Sequence, residues 1–435
     1  MYRYHKVKLW VKADEKGKLK ESFMKKILQY IFGASLAISS VYAAAPVANK
    51  INFLSVSDIH LNVEQTHKME TDPTGYNGDN DMDAASFNAL MALISKNTYA
   101  KETIQKPSFV LYLGDMVGHQ SLFSFNREQY VKKNELVIYK GLLKAFPNTP
   151  IINVFGNNDS PQKNYGDFTK GELSPYSIAI EAGFKNGFLS SGVLCKDSTA
   201  AYPCIQQQNI HLGYFSIQLA PKLLLVGLNS VMFSPNHAGD KDSIAKEFHF
   251  LKEVLDRAKT QKQSVLIAMH IPLGNNVYDG SVFWQEQYKK AFIDLIAPYM
   301  SVIQGMFVGH THMEEFKVLK LSGKTIGEYF TAGLSTSHGN SPSLKSYQLA
   351  QNAQTDKWSI ANYTTYQIHQ PEGDYTLSKY YDFASQYCAN VTYKNDINHC
   401  LSALQFNDIK ARYTVGNPNY QNYRAKSPKD FYIVQ

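Results

Sequence analysis

Short apolar runs recur along the chain, and most of them end at Gly, Asp, Asn or His. Runs of this length, bounded by turn-forming residues, are typical of buried β-strands. They lie at 51–57, 108–113, 150–155, 223–228, 264–269, 302–308 and 324–331. Stretches with a helical pattern lie between several of them, at 84–95, 127–146, 244–259 and 285–296. Strands that alternate with helices predict an α/β fold, in which ligands bind beyond the carboxyl ends of the strands.

Polar side chains with metal-binding chemistry follow these strands. The candidates are Asp58, His60, Asp115, Asn157, His270, His310 and His312. His310 and His312 are one residue apart, so continued strand geometry would aim both side chains to the same side. A histidine pair alone is a weak indication, but seven nitrogen and oxygen donors are enough for two metal ions. Imidazole and carboxylate ligands without a thiolate suit zinc, iron or manganese.

The order of these residues resembles that of the calcineurin-like metallophosphoesterases. The shared motifs are Asp58-Ile59-His60, Gly114-Asp115, Gly156-Asn157-Asn158-Asp159, His270 and Gly309-His310-Thr311-His312. The stretches 114–119, 270–274 and 309–316 resemble the acid sphingomyelinase-like phosphodiesterases within that superfamily. Agreement of several motifs in order is far rarer than agreement of one. The resemblance spans roughly residues 52–342 and implies two mixed β-sheets flanked by helices, in a catalytic domain at 46–374. From Tyr375 onward the pattern becomes polar and helical and encloses Cys388 and Cys400, which predicts a small helical, disulfide-containing C-terminal subdomain at 375–435.

The resemblance also implies ligands for two divalent ions. One ion would be held by Asp58, His60, Asp115 and His312. The other would be held by Asp115, Asn157, His270 and His310, so that Asp115 bridges the pair. Zinc is the expected metal, with manganese or iron as alternatives. A shared carboxylate would hold the ions ~3.5–4 Å apart, the spacing used for in-line phosphoryl displacement.

Two further residues are candidate catalytic groups. In the family, the histidine four residues after the bridging aspartate lies near the phosphate, and this position is His119. It would stabilise the transition state or protonate the leaving oxygen. The alternative is a loop histidine bonded to the backbone. Asn158 departs from the family, which usually has histidine after the metal-binding asparagine. Asparagine can donate a hydrogen bond to phosphate but supplies no proton.

These features predict a two-metal phosphodiesterase that hydrolyses a phosphate ester by attack of metal-bound hydroxide. Nucleotides, phosphocholine compounds and sphingomyelin-like lipids are the candidate substrates. His338 and Asn340 lie where the family has a loop near the substrate and are candidate contacts. One alternative is a phosphomonoesterase of acid-phosphatase type. The other is a weakly active or non-catalytic metal-binding homologue, because Asn158 replaces the usual histidine.

The charge distribution argues against a nucleic-acid polymer as partner. The formal net charge is +7, but residues 1–26 contain nine Lys or Arg against three acidic residues. The remainder is nearly neutral and has no basic stripe interleaved with aromatic residues. The sequence leaves the oligomeric state open. The expected partner is a phosphate-ester small molecule or a lipid head group.

Residues 1–45 are predicted to be a leader with a signal peptide. Lys25 and Lys26 precede the apolar run 27–41, and the small residues at 43–45 suit cleavage by signal peptidase. The apolar run is shorter than the ~20 residues of a spanning helix, and no later stretch is long enough. Met24 is an alternative start to Met1. We therefore expect an exported protein, periplasmic or secreted, with no transmembrane segment in the mature chain.

The four cysteines fit an oxidising compartment. Their spacings predict two local disulfides, because neither is the close pair of a zinc ribbon. The predicted pairs are Cys195 with Cys204 and Cys388 with Cys400. A zinc site built from these thiols would require all four to converge, which their separation along the chain disfavours.

Three alternating acidic residues have the spacing of a calcium-binding loop. They are Asp79, Asp81 and Asp83. Such a loop needs glycine at its sixth position and glutamate at its twelfth, and these positions are Ala84 and Leu90. The segment is therefore not predicted to bind calcium.

Overall fold

The fold is taken from a computed structural model, which describes residues 47–66, 68–69, 81–119, 126–168, 173–197, 201–277, 279–336, 340–370, 374–389, 391, 395–409 and 427–434. The predicted leader at 1–45 lies outside these residues. The strands are β1 (Val47–Val56), β2 (Phe109–Tyr112), β3 (Ile151–Asn153), β4 (Cys204–Asn209), β5 (Tyr214–Ala220), β6 (Leu223–Leu228), β7 (Ser264–Met269), β8 (Ile303–Val308), β9 (Glu315–Leu321), β10 (Lys324–Phe330), β11 (Ser343–Asn352), β12 (Trp358–His369), β13 (Thr376–Asp382) and β14 (Tyr432–Val434). The helices are α1 (Ala84–Tyr99), α2 (Arg127–Ala145), α3 (Pro175–Ala182), α4 (Lys241–Thr260), α5 (Glu286–Ile296), α6 (Phe383–Tyr387), α7 (Ile397–Ala403), α8 (Phe406–Ile409) and α9 (Pro428–Phe431).

One mixed sheet has six strands in the order β13-β12-β11-β1-β2-β3. Strands β1, β2 and β3 run parallel, whereas β11, β12 and β13 pair antiparallel. Helix α1 lies between β1 and β2 in the chain, and α2 lies between β2 and β3. Parallel neighbours need such crossovers. The carboxyl ends of β1, β2 and β3 therefore lie at one edge of this sheet.

The second mixed sheet has eight strands in the order β14-β9-β10-β8-β7-β6-β5-β4. Strands β6, β7 and β8 run parallel, with α4 and α5 in the two crossovers. The remaining strands include the antiparallel pairs β4 with β5 and β9 with β10. The predicted fold of two mixed sheets with flanking helices is confirmed.

Aromatic side chains join the two sheets. The Phe53 ring on β1 stacks on Tyr347 of β11 at 4.7 Å between centroids. Phe307 on β8, in the other sheet, presents an edge to Phe53 at 5.3 Å and to Tyr347 at 4.9 Å. All three rings are buried. Aromatic pairs contribute about 0.5–1.5 kcal/mol each beyond the area they bury. This packing sets the carboxyl ends of β1 and β8 against each other.

Helix boundaries follow their capping residues. Asp83 caps α1, and its side chain accepts the backbone N–H groups of Ala85 and Ser86. Asp240 caps α4, which begins at Lys241 rather than at 244 as the apolar spacing predicted. The first turn of a surface helix is often polar, so a hydrophobic pattern alone misses it. None of the described helices combines the length and apolar character needed to cross a bilayer.

The region after residue 375 contains the predicted short helices and disulfide, together with two strands. The Cys388–Cys400 and Cys195–Cys204 disulfides are both present, as predicted. Strand β13 extends the six-stranded sheet at its edge, and β14 pairs with β9 in the other sheet. An edge strand leaves polar side chains exposed, so β13 lacks the apolar run that marks a buried strand. The domain boundary at 375 stays a prediction.

Candidate metal centre

The candidate ligands lie in tight loops that follow the parallel strands. Five of the seven have a left-handed backbone: Asp58 (φ 49°), His60 (φ 46°), Asp115 (φ 55°), His310 (φ 72°) and His312 (φ 58°). This conformation is uncommon outside glycine, although Asp, Asn and His tolerate it best. It costs on the order of 1–3 kcal/mol per residue and is concentrated at functional sites. The loops therefore hold these side chains in place at a cost in stability.

The side chains of His310 and His312 are not directed by strand alternation, which the sequence predicted. Strand β8 ends at Val308, so the alternation of an extended strand does not continue through the two histidines. Their left-handed backbone sets their direction instead. They also join different clusters, one with Asp58 and the other with Asp115.

The loop after β8 requires glycine at position 309, where it approaches the loop after β1. A Cβ atom on Gly309 would lie 2.1 Å from Ser57 Oγ and 2.7 Å from Asp58 Oδ2. The next residue, His310, donates its backbone N–H to the Asp58 carboxylate, at 3.2 Å to Oδ1 and 3.1 Å to Oδ2. A side chain at Gly309 would separate the two loops, so close backbone approach explains this glycine.

The first group of potential ligands is Asp58, His60 and His312. One donor atom from each lies within 4.8 Å of the others, and all three residues are buried. His312 Nε2 is 3.4 Å from Asp58 Oδ1 and 3.0 Å from His60 Nε2. Two facing imidazole nitrogens and a carboxylate oxygen are the donors that zinc and related ions bind. This group could hold one cation.

The second group is Asp115, His270 and His310, with Asn157 beside it. His270 Nε2 lies 3.3 Å from Asp115 Oδ2 and 3.2 Å from Asn157 Oδ1. The other ring nitrogen of His270, Nδ1, lies 2.7 Å from the carbonyl oxygen of Leu113, to which it donates. That bond fixes the tautomer and leaves Nε2 to face the ligand group. All seven residues predicted as ligands are thus brought together.

The charges of these groups fit a cation site. Burial alone would lower the pKa of His60, but hydrogen bonds to Asp115 and Asp58 raise it to about 10. Burial also opposes protonation of His270, but the charge of Asp115 raises its pKa to about 9. Burial would raise the pKa of Asp115, yet the charges of His270 and His60 hold it well below its usual range. In the metal-free protein, protonated imidazoles therefore compensate a buried carboxylate, a task that divalent cations would take over.

Metal uptake is expected to release protons. Because the folded pKa values of His60 and His270 exceed the reference value of 6.5, their protonation stabilises the metal-free fold fully below about pH 6.5. This stabilisation is lost as the pH rises through about 9 and 10.

Metal binding needs the neutral imidazoles, so zinc affinity should increase with pH across this window. At about pH 8, zinc titration calorimetry in buffers of different ionisation enthalpy should detect release of about two protons. Heats that do not depend on the buffer would contradict this assignment.

His119 lies beside the first group and pairs with a carboxylate. Its Nδ1 is 3.0 Å from Asp81 Oδ1, and its backbone N–H donates to Asp81 Oδ2 at 2.5 Å. The His119 ring stacks on His60, with 5.2 Å between centroids. The side chain is 46% exposed, so a substrate can reach it. The structure thus places His119 next to the ligand groups, where it was expected, and adds Asp81 as its partner.

Asn158 contacts the carboxylate of Asp115. Its Nδ2 donates to Asp115 Oδ2 at 3.0 Å, and its backbone N–H donates to Asp115 Oδ1 at 2.8 Å. Arg127 in turn donates from Nη2 to the Asn158 carbonyl oxygen at 2.8 Å. The Asn158 side chain therefore orients Asp115 in this structure. Its predicted hydrogen bond to phosphate stays a prediction.

A cavity of about 470 Å³ opens over both ligand groups. Its wall includes His119, Asn158 and two aromatic residues, Tyr165 and Phe283. The Phe283 ring lies 5.4 Å from the His310 ring between centroids, and the Tyr165 ring lies 6.4 Å from it. A cavity of this size suits a small ligand.

Comparison with known proteins identifies the family to which this architecture belongs. The family model described as calcineurin-like phosphoesterase matches residues 51–314, which carry every candidate ligand. This chain belongs to the calcineurin-like phosphoesterase family. It is accordingly a phosphoric ester hydrolase, and the family uses a binuclear metal centre.

Several relatives of this phosphoesterase are named for hydrolysis of phosphodiesters. It is 23% identical to sphingomyelinase phosphodiesterase D of Dictyostelium discoideum over 74% of this chain and 70% of that protein. It is 24% identical to cyclic GMP-AMP phosphodiesterase SMPDL3A of Rattus norvegicus over 73% of this chain and 71% of that protein. Among solved structures, a dimetal phosphatase from Danio rerio aligns with a TM-score of 0.44 and 11% identity, covering 76% of this chain and 99% of that one.

Some residues of this phosphoesterase site were not found from its sequence. Asp81 was considered only as part of a calcium loop, because its pairing with His119 joins two distant segments. Tyr165 and Phe283 stand in loops without a motif, so no signal in the sequence marks them. His338 lies outside the described residues. Asn340 is buried and is not among the described residues that line the cavity, and its contact with substrate stays a prediction.

Proposed function

We propose that this protein is an exported two-metal phosphodiesterase that hydrolyses small phosphate esters. One observation carries the proposal: histidines from two groups of potential ligands approach the carboxylate of Asp115, which lies in the wall of one cavity. His60 Nε2 and His270 Nε2 approach the same oxygen, Asp115 Oδ2, at 3.4 and 3.3 Å. A carboxylate approached from two sides by ligand groups suits a bridge between two cations.

The proposed ligand sets share this carboxylate. One divalent ion would be held by Asp58, His60, Asp115 and His312, and the other by Asp115, Asn157, His270 and His310. When bound, such ions polarise phosphoryl oxygens and activate water near neutral pH. Zinc is the proposed metal, with manganese or iron as alternatives, because imidazole and carboxylate donors suit these ions.

The remaining tasks fall to side chains of this protein. Water attacks phosphorus, the bond from phosphorus to the leaving oxygen breaks, and the attacking water loses a proton to solvent. Protonated His119 gives its Nε2 proton to the leaving oxygen and regains one from solvent, which its exposed side chain contacts. Asn158 keeps Asp115 oriented through two hydrogen bonds.

The proposed substrates are nucleotides, phosphocholine compounds or sphingomyelin-like lipids. The names of the relatives support this range, since one is a cyclic GMP-AMP phosphodiesterase and another a sphingomyelinase phosphodiesterase. The test is a panel of bis-p-nitrophenyl phosphate, ATP, phosphocholine esters and sphingomyelin micelles, with zinc or manganese. If the protein hydrolyses none of these substrates, the proposal is contradicted. A higher rate on p-nitrophenyl phosphate than on its diester would favour the alternative, an acid-phosphatase-type phosphomonoesterase.

Asn158 favours a second candidate function, a weakly active or non-catalytic metal-binding homologue. If the site is catalytic but lacks one proton donor, Asn158→His should raise the rate on a diester with a poor leaving group. The expected gain is about tenfold, below the usual range for a general acid because the new ring must give up the bond to Asp115. Steady-state kinetics on an alkyl diester measure it. If the rate is low in the wild type and stays low in Asn158→His, the non-catalytic homologue is favoured.

Export to the periplasm or to the outside of the cell is proposed from the leader at 1–45. The two disulfides support it, since disulfides persist in oxidising compartments. Expression of the full chain in a secreting host, followed by mass spectrometry of the mature N-terminus, tests it. Cleavage close to residue 45 is expected, and an uncleaved chain retained in the cytoplasm would contradict it.

A further inference from the structure

We propose that Asp81 is a positioning residue that holds the His119 ring in its working orientation. The inference rests on the proposed function, because it assigns His119 the role of proton donor. Asp81 lies far from His119 in the sequence, yet the proton donor would depend on its carboxylate for orientation.

Asp81 contacts His119 at two points. One carboxylate oxygen, Oδ1, lies 3.0 Å from the ring nitrogen Nδ1, and the other, Oδ2, accepts the backbone N–H. Asp81 is 3% exposed, so water competes weakly for these bonds. A Cβ atom on the preceding residue, Gly118, would lie 2.6 Å from Asp81 Oδ2. The glycine in front of His119 therefore permits the contact.

The backbone around Asp81 is fixed by its neighbours. Leu61 forms β-bridges with Met82 and with Val117, which joins the Asp81 segment to the segments that carry His60 and His119. Gln65 Nε2 donates to the Asp81 carbonyl oxygen at 2.5 Å. These bonds leave the carboxylate little freedom. A rigid support of this kind is what an oriented catalytic side chain needs.

The same carboxylate faces the second imidazole. His60 Nδ1 is a buried nitrogen without a hydrogen bond among the described residues, and it lies 4.0 Å from Asp81 Oδ1. The rings of His60 and His119 stack nearly parallel, with an interplanar angle of 20°. Asp81 therefore lies beside the Nδ1 atoms of both rings, and their Nε2 atoms are left for the metal and the substrate respectively.

A histidine held through Nδ1 keeps one tautomer and one ring orientation. With its Nδ1 hydrogen directed at Asp81, His119 acts on the substrate through Nε2. Replacing Asp81 by asparagine offers the ring an amide that can also donate, so the ring can turn or change tautomer. The damage should appear only in steps that use the proton of His119. Those steps matter most when the leaving oxygen is strongly basic.

The test compares Asp81→Asn with the wild-type full chain, loaded with zinc, on two diesters that differ in leaving group. The value of kcat on an alkyl diester should fall by about 10–100-fold, the range for loss of an orienting partner. The rate on bis-p-nitrophenyl phosphate, whose leaving group needs no proton, should change by less than about threefold. Zinc content should stay at the wild-type value. Asp83→Asn is the matched control, because this neighbouring buried carboxylate caps α1 and asparagine is also a good cap.

A double variant tests whether Asp81 acts through His119. In a His119→Ala background, Asp81→Asn should cause no further loss on the alkyl diester. Equal losses on both diesters, or a loss that adds to that of His119→Ala, would overturn the inference. If Asp81→Asn does not fold, heteronuclear NMR of histidine-labelled wild-type protein decides: a hydrogen on Nδ1 of His119 supports the inference, and a bare Nδ1 overturns it. A wild type inactive on both diesters would instead contradict the proposed function itself.

Discussion

Asp115→Asn is expected to lower kcat/KM for a phosphodiester by at least about 10³-fold, or ~4 kcal/mol of transition-state stabilisation. Asp115 Oδ2 lies between His60 Nε2 and His270 Nε2, at the point that joins the two ligand groups. An amide has a similar shape but no negative charge, so it would bridge two dications poorly. Bound zinc should fall together with activity. Steady-state kinetics and elemental analysis of the same sample measure both effects.

A matched control separates this effect from a general effect of losing a carboxylate. Asp294→Asn removes an exposed carboxylate that pairs with Lys290 one helical turn away. Exposed pairs of this kind contribute little, so activity and zinc content should match the wild type. Normal turnover in Asp115→Asn with an intact fold would refute the proposed bridging role.

His119→Ala is expected to cost about 10²-fold or more on an alkyl phosphodiester, within the range for loss of a general acid. His119 reaches the cavity, and its exposed ring can exchange protons with solvent. On bis-p-nitrophenyl phosphate the loss should be less than about tenfold, because that leaving group departs without a proton. Rates on the two substrates, measured across pH, give the ratio directly.

His249→Ala is the control for this prediction. His249 lies on the surface of α4 beside Glu253 and is not among the described residues that line the cavity. Its removal should leave both rates unchanged. A His119→Ala variant that loses activity equally on both substrates would indicate that His119 binds or orients the phosphate rather than protonating the leaving group.

The clustering of the candidate ligands could be predicted from the sequence because each candidate follows a strand of recognisable pattern. Buried strands such as β7 and β8 are continuous apolar runs, and His270 and His310 come within two residues of their ends. The parallel arrangement then brings the strand ends together. Motif order added the expected division of these candidates between two ions, which stays a prediction. These signals are local in the chain, so a single sequence contains them.

The contacts around the catalytic groups could not be predicted in the same way. The pairing of Asp81 with His119 depends on how the residues just before α1 pack against the segment after β2, and no periodic pattern encodes that. The hydrogen bond from Asn158 to Asp115 depends on a turn of three residues. The left-handed backbone at His310 and His312 likewise replaced the strand alternation expected there. Tertiary packing, rather than propensity, decides such details.

Zinc titration of the metal-free full chain, with hydrolysis of bis-p-nitrophenyl phosphate followed at each addition, tests the two-metal phosphodiesterase most directly. The account predicts that activity is negligible without metal and reaches its maximum at about two equivalents of zinc per chain, since histidines of two ligand groups approach Asp115. Activity that is independent of metal, or that is complete at one equivalent, would contradict it.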